Sequence, residues 1–421
     1  MDQRDDDMRT PSALVFDDGS AITIGGLTLT ERSAIVAHRA GLAVRVWGAQ
    51  PLNPASEALL RSRGVSMPWP PGATPLEGAA GDEGIVVVGP NVLFEPAVVA
   101  DLVSPAVRDD DRATVACEAG VPLVLYVPPS RTADVRSRTS IVTMVATLAT
   151  RQPVREWPLS GAFCRRVDRA DLAPSVERDY IRCLNGKDES FFTKVIRRFS
   201  VPLTSRLVHL GARPTHVTLS GLALSMASAW CLARGSYGAG VLGGVLSYAS
   251  MIFDCSDGEV ARLTLRDGKF GAWLETLVDY LTYLLLLGAL TVATQHHPGA
   301  DTYRIAAGIS LIGSVIVIAV ASYLRQRVAG ANPGQFDDAS AKVMSTTRFH
   351  RFARWGRQWI KRSSVAHLVL VLALLNQLPV LLYLWAFGAT ATSVVILAVE
   401  PFVVRRVAVA AADGRHLDAE K

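Results

Sequence analysis

Six apolar runs dominate the second half of this 421-residue sequence and restrict what it can fold into. They cover residues 215–234, 238–256, 271–294, 303–324, 365–386 and 388–407. Each run is close to the ~20 residues that a helix needs to cross the hydrocarbon core of a bilayer. Lipid-exposed backbone must satisfy its own hydrogen bonds, which only helices and closed barrels do. The sequence therefore predicts an all-α domain of six transmembrane helices over residues 214–410.

Lysine and arginine collect on one side of these runs. Nine lie in the loop between the fourth and fifth runs, and Arg405 and Arg406 close the last one. The loops near GSYG, QHHPGADTY and AFGA carry almost none. The positive-inside rule then places the N-terminus, the basic loop and the tail of residues 411–421 in the cytoplasm. Topology thus explains the net charge of +5 without a nucleic-acid partner, and the polar start predicts no cleavable signal peptide.

One stretch carries charges within this apolar half, FDCSDGEVARLTLRDGKFGAWLETLVDY at residues 253–280. An ionised side chain in hydrocarbon costs about 2.5–3.5 kcal/mol even on insertion scales, so such charges usually serve a function. Asp254, Asp257 and Arg262 follow helical spacing and lie on one face at the cytoplasmic end of the second run. This face is a first acidic stripe.

A matching stripe opens the third run. Gly271, Glu275 and Asp279 are four residues apart and share one helix face. Four carboxylates on two facing stripes repel one another unless cations lie between them. Two simpler explanations remain open: the acidic residues are solvated helix ends, or Asp254 and Arg262 form a packing ion pair.

Oxygen-only donors suit hard cations such as Mg²⁺ or Mn²⁺. A two-metal site of this kind matches in-line phosphoryl transfer, in which both the attacking and the leaving oxygen need charge stabilisation. Gly258 and Gly271 have no side chain and would let a nucleotide approach the helix backbone closely. The stretch therefore predicts metal-dependent phosphoryl chemistry.

Written as Asp254-x2-Asp257-Gly258-x2-Ala261-Arg262-x8-Gly271-x3-Glu275-x3-Asp279, the stretch resembles the signature of the CDP-alcohol phosphotransferases. Seven of the eight defining positions match, and Glu275 stands where the family has its third Asp. Glutamate keeps the charge and extends the carboxylate by one methylene. The resemblance covers roughly residues 188–410 and implies an integral-membrane enzyme that moves a substituted phosphate from a CDP-alcohol to an acceptor hydroxyl and releases CMP, in phospholipid or polar-lipid synthesis.

The resemblance also implies residue roles and partners. Asp279 would be the general base, and the phosphate charge would be countered by Arg262. The expected partners are the CDP-alcohol donor, an alcohol or phospho-alcohol acceptor, the lipid bilayer and a second copy of the chain. The metal ligands would be Asp254, Asp257, Glu275 and Asp279; the nucleotide site Asp257, Gly258, Ala261, Arg262 and Gly271; and the headgroup or acceptor contacts Arg266, Lys269, Arg325 and Arg327. Arg325 and Arg327 fit positive-inside anchoring equally well.

Residues 186–213 lead into the first run and alternate apolar and basic residues at helical spacing before Pro214. This pattern predicts an amphipathic juxtamembrane helix that lies in the membrane interface.

Residues 1–185 have a different texture, with apolar runs such as GIVVVG and VPLVLYV interleaved with helical patterns. They predict a cytoplasmic α/β domain with a mostly parallel sheet, similar to sugar-phosphate nucleotidyltransferases. Some CDP-alcohol phosphotransferases carry such a domain, which makes CDP-inositol. Here Asp17–Gly26 contains no Lys or Arg to cradle a triphosphate, and Pro90 stands at the expected metal ligand. The domain is therefore predicted to be non-catalytic, a scaffold that dimerises, docks a separate cytidylyltransferase or shields the membrane site.

Two classes of function remain from the sequence. One is the phosphotransferase, and the other is a catalytically silent membrane scaffold or ion pathway that keeps the fold. A transporter would carry charges near the middle of several helices, whereas here they cluster at the ends of two. This favours the enzyme. Both a CDP-polyol such as CDP-inositol and CDP-diacylglycerol with a polar acceptor remain open as substrates.

Overall fold

The computed structural model describes residues 12–48, 50, 52–65, 84–136, 138–159, 162–185, 190–329 and 362–394. The chain divides into two compact units. The first unit comprises Met1–Asp188, Val201–Arg213 and Gly258–Asp267. The second comprises Glu189–Ser200, Pro214–Asp257 and Gly268–Lys421.

The first unit is an α/β structure. Its strands are β1 (Ser12–Asp17), β2 (Thr23–Ile24), β3 (Leu27–Thr28), β4 (Ala43–Gly48), β5 (Ile85–Val88), β6 (Val92–Phe94), β7 (Thr114–Glu118), β8 (Val121–Val127), β9 (Arg155–Glu156) and β10 (Cys164–Arg166). Its own helices are α1 (Leu29–Arg39), α2 (Pro54–Ser62), α3 (Pro96–Leu102), α4 (Pro105–Arg108), α5 (Thr132–Val135), α6 (Ile141–Ala149) and α7 (Ala173–Leu184).

The main sheet has six strands in the order β4-β1-β5-β8-β7-β9. Strand β1 pairs in parallel with β4 and β5, and β7 pairs in parallel with β9. Strand β8 runs antiparallel to both of its neighbours. The predicted α/β class is confirmed, with a sheet that mixes parallel and antiparallel pairs.

Alternation along β1 builds a core on each side of this sheet. Ala13 and Val15 pack into one buried cluster, and Leu14 and Phe16 pack into the other. Successive side chains of a strand point to opposite faces, so an all-apolar strand indicates a sheet covered on both sides.

Helix α1 begins with a capping box directly after β3. The Thr28 hydroxyl accepts from the backbone N–H of Glu31 at 3.2 Å, and the Glu31 carboxylate accepts from the N–H of Thr28 at 2.8 Å. Two N–H groups that the first helical turn leaves without partners are satisfied in this way.

Asp17 and Asp18, at the end of β1, both accept hydrogen bonds from other side chains. The Asp17 carboxylate accepts from the Thr30 hydroxyl at 2.8 Å, and Asp18 accepts from the Asn91 side-chain amide. Asn91 takes a left-handed conformation with φ 58°, directly after Pro90. The end of β1 is thus tied to α1 and to the β5–β6 turn.

The remaining helices are α8 (Phe191–His209), α9 (Pro214–Ala233), α10 (Tyr237–Leu263), α11 (Lys269–Ala293), α12 (Ala300–Ala329), α13 (Arg362–Leu374) and α14 (Val380–Val394). Helix α8 lies where the juxtamembrane helix was predicted, with Pro202 inside it. Helices α9 to α12 each contain a stretch long and apolar enough to cross a membrane, whereas α13 and α14 are shorter apolar helices.

Large apolar side chains cover the outside of these helices. Trp230, Ile312 and Phe387 are 68%, 64% and 76% exposed. A surface of this kind is unstable in water and suits contact with lipid. The first four predicted crossings are confirmed as helices.

The predicted limits of the fifth and sixth runs are wrong. The break comes after Leu374 rather than at residue 387, and the AFGA segment lies inside α14 instead of in a loop. Asn376 ends the fifth helix in a left-handed conformation with φ 55°, and Pro379 cannot continue it because its nitrogen has no hydrogen to donate. Residues 395–407 of the sixth run lie outside the described residues.

Candidate functional site

The C-terminal half of α10 carries the first acidic stripe. Asp257 is 3% exposed, and its carboxylate accepts from the Thr218 hydroxyl on α9 at 2.8 Å. A hydroxyl donor aimed at a buried carboxylate stabilises its charged form. The sequence reading did not single out Thr218, although a threonine in an apolar helix was a signal for such a role.

Asp254 lies one helical turn before Asp257, and its side chain is 17% exposed. Its carboxylate pairs with the guanidinium of Arg362, the first residue of α13. Asp279 on α11 pairs with the same guanidinium, and the Arg362 side chain itself is 14% exposed. Carboxylates from the two predicted stripes therefore meet at one cation.

Arg362 is a residue that the sequence analysis assigned only to the basic loop. Besides the two carboxylates, it contacts the Thr282 hydroxyl, which lies 3.3 Å from its second terminal nitrogen. Arg362 is 108 residues from Asp254 and 83 from Asp279 along the chain. No local spacing could connect them, and the only signal was its position as the last basic residue before the fifth apolar run.

The second acidic stripe is partly open. Glu275 and Gly271 are exposed, whereas Asp279 is half-buried. The departure from the family pattern thus falls on the most accessible carboxylate of the set.

Small polar residues hold α9, α10 and α11 together behind these carboxylates. The Thr282 hydroxyl donates to Ser225 at 3.2 Å, and the Ser225 and Ser250 hydroxyls lie 2.6 Å apart. Ser250 also donates to the carbonyl of Gly221 at 2.9 Å. Short polar side chains of this kind allow helix backbones to approach closely in a membrane.

The predicted nucleotide-binding residues Gly258, Ala261 and Arg262 occupy the last turns of α10, which fold within the first unit. One terminal nitrogen of Arg262 donates to the Asn185 side-chain carbonyl at 3.1 Å. A Cβ atom at Gly258 would lie 3.3 Å from the other terminal nitrogen of Arg262. Glycine at 258 therefore leaves room for the arginine side chain.

The remaining predicted headgroup or acceptor contacts lie in the turn after α10, at the start of α11 and near the end of α12. Arg266 is exposed in the turn between α10 and α11, and Lys269 is the first residue of α11. Arg325 and Arg327 lie near the end of α12. The side chains of Lys269, Arg325 and Arg327 lie outside the described residues.

The donor set fits a divalent cation in chemical type. Asp254 and Asp279 offer only oxygen ligands, and the guanidinium of Arg362 already places a positive charge between them. Within the described ranges, no three His, Cys, Asp or Glu side chains come together as a metal cluster. The predicted ligands fit a divalent cation by charge and donor type, although the described residues do not gather three of them into one cluster, and their roles remain predictions.

Comparison with known proteins finds one matching family model and several relatives. The family model for CDP-alcohol phosphatidyltransferase matches residues 212–354. The bifunctional IPC transferase and DIPP synthase of Aquifex aeolicus is 30% identical over 186 residues, 44% of this chain and 41% of that protein. Its namesake in Thermococcus kodakarensis is 28% identical over 166 residues, 39% of this chain and 36% of that protein.

A third relative is named for one activity. The archaetidylinositol phosphate synthase of Methanothermobacter thermautotrophicus is 34% identical over 101 residues, 24% of this chain and 48% of that protein. The chain thus spans less than half the length of each of these three relatives.

Proposed function

We propose that this chain is a member of the CDP-alcohol phosphatidyltransferase family, whose model matches residues 212–354, and that it is an integral-membrane phosphotransferase of polar-lipid synthesis. It would transfer a substituted phosphate from a CDP-alcohol to an acceptor hydroxyl. The observation that carries this proposal is the meeting of Asp254 and Asp279, from two helices of the family signature, at the single cation Arg362.

In this reaction the acceptor oxygen forms a bond to the phosphorus that carries the alcohol. The bond from that phosphorus to the CMP oxygen breaks, and CMP leaves with the electron pair. Asp279 takes the proton of the acceptor hydroxyl. Positioning of the two reactants supplies much of the rate, because a bimolecular step becomes effectively unimolecular.

Asp254, Asp257, Glu275 and Asp279 would hold two Mg²⁺ or Mn²⁺ ions. When bound, such ions neutralise charge that develops on the phosphate oxygens. Thr218 keeps the Asp257 carboxylate in place through its 2.8 Å hydrogen bond. Arg262 would counter the charge of the diphosphate, with Gly258, Ala261 and Gly271 along the nucleotide and Arg266, Lys269, Arg325 or Arg327 at the headgroup or acceptor.

The names of the relatives suggest which substrates to test first. A relative is named for archaetidylinositol phosphate, so we place an inositol-type polyol phosphate first among the acceptors. CDP-inositol and CDP-diacylglycerol are the two donors to compare. The N-terminal domain is proposed to be nucleotidyltransferase-like in fold and non-catalytic, working beside a separate cytidylyltransferase.

The membrane arrangement is also a proposal. We infer six crossings, with α13 and α14 as the last two, both termini in the cytoplasm and a homodimer as the working form. Four helices with membrane-length apolar stretches and the basic segment before α13 support this arrangement.

The test is a reaction of the purified full-length protein in lipid vesicles. Each CDP-alcohol is combined with each acceptor, and CMP is measured by chromatography. We expect CMP release that requires both substrates and a divalent cation. A protein that releases no CMP with any pair, while Asp279→Asn and wild type behave alike, would instead support the silent scaffold. Ion flux across the same vesicles would support the ion pathway.

A further inference from the structure

The first unit contains the end of α10 and the turn that follows it, residues 258–267. The last four carbonyl groups of any helix have no partner within the helix. In α10 the turn itself satisfies three of them, and Arg32 of α1 donates to the fourth, the carbonyl of Leu263. The three backbone bonds run from Thr264 N to Val260 O at 2.9 Å, from Leu265 N to Arg262 O at 3.3 Å and from Arg266 N to Ala261 O at 2.9 Å.

This pattern is a Schellman motif with an unusual residue at its left-handed position. That position usually holds glycine, because a Cβ atom crowds the following carbonyl there. Here it holds Leu265 at φ 51°. The conformation is strained for leucine, so contacts outside the turn must maintain it.

Those contacts come from α1, α2 and the core of the first unit. The Leu265 side chain is 5% exposed and belongs to the same buried cluster as the strands of the main sheet. Its carbonyl accepts from Arg39 at 2.5 Å and from Arg63 at 2.8 Å. Arg39 also pairs with Asp267 at 2.6 Å. Side-chain burial and two charged donors therefore hold one strained residue.

Arg32 is the most deeply buried of the three arginines. It is 2% exposed and stacks over the Tyr180 ring, with its guanidinium carbon 4.9 Å from the ring centroid. Among the described residues, its Nε atom and its second terminal nitrogen have no hydrogen-bond partner. Burying a guanidinium costs free energy unless it is hydrogen-bonded. In the part of the chain that the structure describes, the hydrogen bond to the Leu263 carbonyl is the polar contact that offsets this cost.

A buried polar network also holds the last turns of α10. Glu259 is fully buried and accepts from the Asn185 amide at 2.9 Å and from the Thr204 hydroxyl. The Asn185 carbonyl in turn accepts from Arg262 at 3.1 Å. The helix end that carries Gly258 and Arg262 is thus held by two separate sets of contacts.

We propose that the N-terminal region is a positioning clamp: Arg32, Arg39 and Arg63 hold the carbonyls of Leu263 and Leu265 and so fix the orientation of the nucleotide-binding end of α10. The clamp gives this α/β region a role that needs no nucleotidyl transfer. Its effect on catalysis rests on the proposed phosphotransferase function, whereas the clamp itself does not.

The clamp is tested by hydrogen exchange on the full-length protein in lipid nanodiscs. Arg39→Ala combined with Arg63→Ala should speed exchange of the Leu265 and Arg266 amides by about tenfold or more, because the strained turn opens locally. Arg61→Ala is the matched control, since Arg61 is exposed on α2, two residues before Arg63, and pairs with Glu57. Unchanged exchange at the turn in the double variant would overturn the clamp.

Two further readouts keep the outcome decisive. Amides of β5 should stay protected in the double variant, which would show that the first unit remains folded. If they exchange faster, the single variants Arg39→Ala and Arg63→Ala are measured instead. Each single variant is expected to speed exchange at the Arg266 amide by about threefold. In CMP release, the double variant should raise KM for the CDP-alcohol about tenfold with little change in kcat. Faster exchange with an unchanged KM would refute the positioning role alone. A wild type without activity would refute the proposed function and leave the exchange result standing.

Discussion

Arg362, the first residue of α13, pairs with Asp279, which lies 83 residues earlier on α11. The same guanidinium pairs with Asp254 on α10. Three helices of the second unit therefore meet at one ion-pair network. Arg362 provides a positive charge beside the two neighbouring carboxylates.

This network predicts that Arg362→Ala makes the fold depend on divalent cations. Loss of the partner leaves two carboxylates facing each other, at a cost of about 1–3 kcal/mol once partial exposure is allowed for. We expect the Tm in excess chelator to fall by several degrees and to recover with Mg²⁺ or Mn²⁺. Arg304→Ala is the control, because Arg304 pairs with the exposed Asp301 on α12. Equal melting of both variants in chelator would contradict the prediction.

Catalysis should depend on the acidic residues of α10 and α11. Asp254→Asn, Asp257→Asn and Asp279→Asn each remove a negative charge or the base and should lower CMP release by at least about 100-fold. Membrane insertion should be unchanged, as judged by solubilised yield and elution volume. Asp301→Asn, at an exposed position in the first turn of α12, should retain full activity. Wild-type turnover in excess chelator would argue against a metal at these residues.

Glu275 tests how far the family pattern tolerates a longer side chain. Glu275→Asp restores the usual residue and should keep activity, whereas Glu275→Gln removes the charge and should lose most of it. Steady-state CMP release at several Mg²⁺ concentrations separates weak metal binding from a slow reaction. If the Gln variant matches wild type, the exposed residue 275 does not bind a metal.

Thr218 is predicted to act through Asp257. Thr218→Val keeps the shape and removes the hydroxyl, which leaves the buried carboxylate without that donor and should cost about 1.5–3 kcal/mol of stabilisation. We expect kcat/KM to fall at least about tenfold, with recovery in Thr218→Ser. Thr276→Val is the control, since Thr276 lies exposed on α11 and donates to the Ala272 carbonyl of its own helix at 2.9 Å. Similar losses in both valine variants would count against this role.

The N-terminal domain is predicted not to make its own CDP-alcohol. Pro90 offers no side-chain ligand, and residues 17–26 contain no Lys or Arg to bind a triphosphate. Full-length protein with CTP and inositol phosphate should release no pyrophosphate, while the same preparation releases CMP from a supplied CDP-alcohol. Steady pyrophosphate release would make the protein bifunctional.

The sequence alone determined the elements whose signals are local. Apolar length identified α9 to α12, and helical spacing placed Asp254 and Asp279 on stripes that the structure brings to one guanidinium. It failed at the fifth and sixth runs because apolar composition continues through Asn376 and Pro379, where the backbone turns. Apolar composition indicates which residues avoid water. It does not locate the residue at which the backbone hydrogen bonds of a helix stop.

Only the tertiary structure decided which groups that are distant in the sequence form ion pairs or bind the same backbone carbonyl. Arg362 reads as a topology anchor in the sequence, and Leu265 as an ordinary loop residue. Yet Arg362 joins two acidic stripes, and Arg39 bonds to the Leu265 carbonyl 226 residues away. Such contacts depend on packing between segments far apart in the chain. Periodicity within one segment carries no information about them.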